Sequence, residues 1–498
     1  MSTIQLNNLT FSYDGSHDAV FENVTLQFDT DWKLGLTGRN GKGKTTLLNL
    51  LLGKLPSYGS IQAKVNFEYF PYEISDKTKT VCEVIEQINP QYEEWKIQKE
   101  LNLLNCDGLD FCRPFGTYSN GEQTKILLAV LFSKDGAFLL IDEPTNHLDR
   151  TGRQTLAQYL QKKASYIIVS HDKCFLDGCI DHVISINRSN IEIQSGNLSS
   201  YLANKRLRDD FETDENERLK ADIRRLKDAG RQSSDWANKA EKGKYGGKQE
   251  KSGLRPDRGF IGAKATKVMK RASGLIDRAE KSAEEKSALL KNVDRESAVK
   301  IQNLCFFKNK LAIIKDLVIA YEGKKINERL SFEIDSGDRI SLAGKNGCGK
   351  TSILKAFLGK IKPYAGSISY NQNLKISYVS QDTSFLNGSL NDFCLENKLD
   401  KTTLLGMLNK FGFEKTQFDK HLSAYSEGQK KKLLIAKSLC EQANLYLWDE
   451  PLNYIDIITR EQIKKMLLNS NATMIFVEHD LDFCKTVASR EITIQPAK

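Results

Sequence analysis

Two nine-residue segments, GRNGKGKTT from Gly38 to Thr46 and GKNGCGKTS from Gly344 to Ser352, mark this chain as a duplication. Each is preceded by alternating apolar residues (Leu34 and Leu36; Ile340 and Leu342) that read as a strand. Each is followed by a helical pattern (Leu47, Leu48, Leu50, Leu51; Ile353, Leu354, Ala356, Phe357). Strand, loop and helix in that order form the context in which G-x-x-x-x-G-K-[ST] is a phosphate-binding loop rather than a glycine turn. The chain is therefore expected to be α/β, with two similar domains. In such a loop small residues let backbone N–H groups wrap phosphates at a helix N-terminus, where the helix dipole favours negative charge. Gly38, Asn40, Gly41 and Gly43, with Gly344, Asn346, Gly347 and Gly349, would form the cradles. Lys44 and Lys350 would reach the β and γ phosphates, and Thr45 and Thr351 would offer a hydroxyl to Mg2+. Thr46 and Ser352 complete the ATP-binding loops.

Downstream in each copy an apolar run ends in two carboxylates, AFLLIDEP with Asp142 and Glu143, and LYLWDEP with Asp449 and Glu450. Such a run is a buried central strand, so the acids emerge at its carboxyl end, where open α/β sheets bind ligands. Asp142 and Asp449 are expected to hold Mg2+, while Glu143 and Glu450 orient and polarise the attacking water. A further strand end carries a histidine in both copies, His171 in IIVSHD and His479 in IFVEHD. A lone histidine is usually structural; the repeated placement favours contact with the γ phosphate.

At 498 residues the chain has room for two or three domains. No apolar run approaches the roughly 20 residues of a membrane-spanning helix. The N-terminus MSTIQLNNLTFSYDG lacks a secretory pattern, which leaves the cytoplasm as the expected compartment. The ten cysteines are scattered without a C-x-x-C pair, so reduced thiols are expected rather than disulfides or a metal site. The net charge of +9 is concentrated, because Arg231 to Ser273 holds twelve basic residues against four acidic ones.

Two more stretches, Ser119-Asn120-Gly121-Glu122-Gln123 and Ser426-Glu427-Gly428-Gln429-Lys430, each open a helix and each resembles the signature of ABC ATPases. With the phosphate loops, paired acids and switch histidines, both halves resemble complete ABC nucleotide-binding domains of mixed sheet and helical subdomain. The resemblance implies a head-to-tail sandwich within one chain, each ATP lying between one half's phosphate loop and the other's signature (Ser119, Gly121, Glu122; Ser426, Gly428, Gln429). It also gives Tyr13 and Tyr321 as the adenine-stacking aromatics, an edge-strand tyrosine being the other reading. The family's glutamine before the helical subdomain is present as Gln381, a further Mg2+ contact, but the first half has Tyr72 there. Neither signature keeps its second glycine, and NYID stands where the first half has NHLD. Both sites are expected to bind ATP, with slow and unequal hydrolysis.

Between the halves, apolar residues recur at helical spacing before a glycine-rich basic stretch (Leu207, Phe211, Leu219, Ile223, Leu226) and after it (Ile261, Val268, Met269, Ala272, Ile276, Ala279, Ala283, Leu290). The pattern predicts an antiparallel helical hairpin over 201–298, between domains at 1–200 and 299–498, with a basic tip at about 242–260. Basic and aromatic residues together suit RNA, although a solvated turn is the plainer reading of a charged loop. Lys242, Lys244, Tyr245, Lys248, Leu254, Arg255, Pro256, Arg258 and Phe260 are the candidates for ribosome or tRNA contact.

Two ABC domains joined by such a linker resemble the ABC-F class. KYGG and IGAKATKVMKR in the linker, with GRNGKGKTTLL, IDEPTNHLD and WDEPLNYID, resemble the Lsa type of antibiotic-resistance ribosome-protection protein. That resemblance implies a monomeric, ribosome-associated cytoplasmic ATPase using ATP and Mg2+. Its linker would enter the 70S ribosome through the tRNA exit site, displace P-site tRNA and approach the 23S rRNA of the peptidyl-transferase centre. The drugs implied are lincosamides, streptogramin A and pleuromutilins. An ABC-F factor regulating ordinary translation, and the ATPase subunit of a drug exporter, remain open alternatives.

Overall fold

The computed structural model describes residues 2–13, 19–134, 136–146, 148–187, 191–242, 267, 270, 281, 310–321, 323–371 and 373–497. The chain divides into two compact units, Met1–Tyr201 with Glu296–Lys498, and Leu202–Arg295.

In the first half β1 (Thr3–Phe11), β2 (Phe21–Asp29), β3 (Lys33–Gly38), β4 (Tyr58–Gln62), β5 (Asn66–Phe70), β6 (Ala137–Asp142), β7 (Tyr166–Val169), β8 (His182–Ile186) and β9 (Ile191–Ser195) form two sheets. One is antiparallel, in the order β2-β1-β4; the other runs β5-β6-β7-β3-β8-β9, parallel except for the last pair. The acidic strand β6 is therefore internal, and four of its six residues are buried, as a run such as AFLLID requires.

The second half repeats the plan with β10 (Lys310–Val318), β11 (Ala320–Tyr321), β12 (Lys324–Lys325), β13 (Leu330–Asp335), β14 (Arg339–Ala343), β15 (Ala365–Tyr370), β16 (Ile376–Val379), β17 (Leu445–Asp449), β18 (Met474–Val477) and β19 (Arg490–Thr493). Its parallel sheet runs β16-β17-β18-β14-β19, beside an antiparallel sheet β13-β10-β15. In both halves the strand that ends in the switch histidine, β7 or β18, lies between the phosphate-loop strand and the acidic strand. That order puts loop, histidine and paired acids side by side along one carboxyl edge.

Leu34, Leu36, Leu47 and Leu48 meet β1 and β2 in one apolar core, and Ile340, Leu342, Ile353 and Leu354 do the same in the other half. A separate core joins the helical subdomain of the second half to its sheet through Leu404, Leu408, Phe411, Leu433 and Trp448.

A helix from Leu198 to Lys242 leads out of the first half; its 45 residues span about 68 Å. The expected sealing stripe is only partly seen: Leu207 and Phe211 are exposed, Leu219 and Ile223 half-buried. The whole facing stripe falls outside the described residues. Lys242 is the last residue of the helix rather than part of a loop. The other contact candidates, Lys244, Tyr245, Lys248, Leu254, Arg255, Pro256, Arg258 and Phe260, lie outside the described residues.

Candidate nucleotide sites

Both phosphate loops turn into their helices through a glycine in the left-handed region, Gly43 at φ 93° and Gly349 at φ 95°. A side chain at Gly43 would also strike Val20 and Phe21, at 2.7 and 2.8 Å. The loop lysines fold back on their own carbonyls. Lys44 Nζ donates to Gly38 O at 2.8 Å, and Lys350 Nζ to Gly344 O at 2.8 Å and Lys345 O at 3.0 Å. The hydroxyls next in line reach the strand acids, Thr45 Oγ1 to Asp142 Oδ2 at 3.0 Å and Thr351 Oγ1 to Asp449 Oδ1 at 3.1 Å.

Asp449 Oδ2 is buried without a hydrogen-bond partner, and burial, with Glu450 beside it, pushes this carboxyl up to about 6. A buried carboxylate oxygen beside a threonine hydroxyl fits Mg2+, which binds through a few such groups and substrate phosphates. Gln381, expected to join the metal, points its Nε2 at Glu450 Oε2, 2.9 Å away. Two tyrosines that the motif reading passed over stand against the same acids. Tyr69 donates to Asp142 Oδ2 at 3.3 Å; burial and the Asp449 charge push Tyr378 up to about 12. Their signal was present, since each lies three residues before the glutamine position occupied by Tyr72 or Gln381.

Glu143 and Glu450 both sit at positive φ, 50° and 46°, at the sheet edge. His171 Nε2 is 3.3 Å from Glu143 Oε1, and His479 Nε2 is 3.5 Å from Glu450 Oε1. Burial drives His171 well below the usual imidazole range, helped by Lys44 and Arg460, so this ring is neutral. Arg153 and Arg460 grip the aspartates that follow the histidines, at 2.9 Å to Asp172 and 3.1 Å to Asp480. Tyr13 and Tyr321 are each about half exposed, their hydroxyls 2.7 Å from Thr46 Oγ1 and 3.2 Å from Ser352 Oγ. Their exposed rings are free to take a base by stacking.

The signature serines are helix N-caps. Ser119 and Glu122, like Ser426 and Gln429, form reciprocal capping boxes that begin the helices Asn120–Phe132 and Glu427–Cys440. Each helix start faces the other half. A cavity of about 1160 Å³ is lined by Ser119, Gly121 and Glu122 of the first half with Gly347, Lys350, Thr351, Gln381, Glu450 and His479 of the second.

The reciprocal site is closed. Asn40 Nδ2 donates to Tyr454 O at 2.6 Å, and Lys42 pairs with Glu414 at 2.8 Å. Tyr454, at φ 63°, belongs to the NYID turn; its counterpart His147 lies outside the described residues. Here burial and neighbouring Asp142 push Glu143 up to about 8, and its Oε1 has no hydrogen-bond partner. Glu450 is held below the usual range. Burial alone would raise it, but the hydrogen bond and charge of His479, with Lys431 and Lys350, outweigh burial. Asn453 Nδ2 also donates to Glu450 Oε2 at 2.7 Å. Tyr72, by contrast, turns away to Glu68 Oε2 at 3.4 Å, with Lys134 over its ring at 5.4 Å.

A Cβ on Gly428 would lie 2.5 Å from Tyr454 O and 2.7 Å from Asn40 Nδ2. Gly428→Ala must therefore displace the Tyr454 peptide and the Asn40 amide that meet there, at a cost of about 1–3 kcal/mol. Two-site nucleotide titration should show weakening of roughly tenfold or more at one site and little change at the other.

The description "ABC transporter" matches residues 21–146 and 327–453. The ribosome protection protein VmlR of Bacillus subtilis (strain 168) is 25% identical over 497 residues, covering 97% of this chain and 85% of that protein. ABC transporter F family member 5 of Arabidopsis thaliana is 26% identical, over 99% of this chain and 75% of its own length. Among solved structures, an archaeal ribosome recycling factor in complex with a stalk protein aligns with a TM-score of 0.63 at 18% identity, covering 98% of this chain and 87% of its own, and so shares the fold. With the matched segments spanning both phosphate loops and both acid pairs, the chain belongs to the ABC transporter family, as an ATPase with two ATP-binding domains in tandem.

Proposed function

We propose that this protein is an ABC-F ATPase whose ATP-closed form binds the bacterial 70S ribosome in the cytoplasm and protects it from antibiotics of the lincosamide, streptogramin A and pleuromutilin kind. The observation that carries the reading is end-to-end similarity to a ribosome protection protein, over 97% of this chain. In addition, no described helix is long and apolar enough to cross a membrane, so an exporter role would need a separate membrane chain.

In the working cycle each phosphate loop and opposing signature clamp one ATP, so two nucleotides hold the halves together. Bound Mg2+ would screen phosphate charge at Thr45 with Asp142 and at Thr351 with Asp449. Glu450, ionised and held by Gln381, Asn453 and His479, accepts a proton from the attacking water and orients it. Glu143 does the same in the other site, with Tyr72 giving no such support. The linker tip at 242–260 carries the contact with 23S rRNA and P-site tRNA. Hydrolysis loosens the clamp and releases the ribosome.

The test is sedimentation of the Glu143→Gln, Glu450→Gln double variant with purified bacterial ribosomes. Pelleting with ATP and not without it is expected. Failure to pellet in both conditions would defeat the reading.

A further inference from the structure

The second half carries two buried charges where the first carries two hydroxyls. Five residues after the signature serine stand Thr124 in one half and Lys431 in the other; ahead of the switch histidine stand Ser170 and Glu478. The first-half pair stays local. Thr124 donates to Asn120 O of its own helix at 2.8 Å, and Ser170 Oγ lies 3.0 Å from Thr145 Oγ1.

Lys431, 1% exposed, crosses to other elements. Its Nζ donates to Ser380 O at 2.9 Å, next to Gln381, and to Glu450 O at 3.2 Å. Glu427, which stands where the family's signature has glycine, accepts from the Thr383 hydroxyl on the same segment and from Lys430 at 3.0 Å. Among the described residues the first half shows no such bond between its signature helix and residues 71–74. Glu450 and Glu143 share a positive φ, so Lys431 is not needed for that conformation; what it adds is a donor to the Glu450 carbonyl, at 3.2 Å. Glu478 compensates the charge of Lys431 while accepting from Leu452 N at 2.7 Å and His479 N at 3.1 Å.

We propose that Lys431 is a positioning residue for the Glu450 site, tying the Glu450 peptide and the Gln381 segment to the signature helix Glu427–Cys440. That helix begins with the residues that close over the first half's phosphate loop. Closure at one nucleotide is thereby mechanically linked to the hydrolytic geometry at the other. Among the described residues Thr124 makes no such bond, so this link has no counterpart in the first half. The assignment concerns the ATPase cycle and holds whatever the closed form binds.

The test uses the full chain with Glu143→Gln, so that turnover comes from the Glu450 site. There Lys431→Thr should lower kcat about tenfold with KM for ATP within about twofold, because the lost donors act on Glu450 and not on the phosphate loop. Adding Glu478→Ser recreates the uncharged pair that the first half already accommodates, so this double variant should fold, and the kcat loss should persist in it. Lys431→Met, which keeps the stem and removes the donors, should behave as Lys431→Thr does. In a Glu450→Gln chain, where only Glu143 turns over, Lys431→Thr should change kcat by less than about twofold. Recovery of full kcat in Lys431→Thr, Glu478→Ser would make Lys431 a charge partner of Glu478 alone and overturn the assignment. Equal losses in the two backgrounds would overturn it as well, since a general packing defect predicts them.

Discussion

Glu450→Gln is expected to lower steady-state ATP turnover by about 10²-fold, and Glu143→Gln by no more than about threefold, when phosphate release is followed at saturating Mg-ATP. A general base must be ionised and aimed. Glu450 is both, being held below the usual carboxylate range and bonded by Gln381 and Asn453. Glu143 is pushed above the usual carboxylate range by burial and by neighbouring Asp142, which disfavours its ionised form. The glutamine that would brace it is Tyr72, engaged with Glu68. The two halves thus share motifs and differ in the surroundings that make a carboxylate useful. Equal losses from the two substitutions would sink this asymmetry.

Asp456→Ala should be strongly destabilising. Its carboxylate, fully buried, pairs with Lys432 Nζ at 2.5 Å and caps the helix Ile457–Leu468 through the Thr459 N–H at 3.0 Å. Lys432 in turn donates to Phe411 O at 2.9 Å, tying the signature helix to the helical subdomain. Removing one partner of a buried pair leaves the other charge uncompensated and costs about 3–5 kcal/mol. For a domain of this size the thermal midpoint should fall by about 6–20 °C. Adding Lys432→Met should recover much of that loss, since a buried pair and a packed apolar substitute are often near equal. The pair also sets a pH dependence. Burial alone would raise Asp456, but the Lys432 charge and hydrogen bonds, with the Thr459 N–H, hold it well below the usual range. Its contribution is therefore complete above the ordinary aspartate value of about 3.9 and is lost as pH falls through the folded-state value. The gap in midpoint between parent and Asp456→Ala should stay constant from pH 8 to about 5 and narrow in stronger acid.

The α/β architecture, with a phosphate loop and an acid pair at strand ends in each half, was legible because it is written twice. A glycine loop after one strand and acids after another are local patterns, and their second appearance removes the coincidence. The charges that organise the second half were not legible. KKK at 430–432 reads as a solvated helix face, yet Lys431 and Lys432 are buried, a fact set by segments 51 and 24 residues away. The contact between Asn40 and Tyr454 spans 414 residues, and no periodicity announces it. Leu207 and Phe211 show the opposite failure, for they have helical spacing without burial.

Each phosphate loop meets residues of the other half. Gly428 and Tyr454 lie in the second copy but meet Asn40 in the phosphate loop of the first. A change in either copy is therefore felt through chemistry performed in the other, so the two copies cannot drift independently. Their differences, Tyr72 against Gln381 and Thr124 against Lys431, are better read as a division of labour kept in step than as decay of one duplicate.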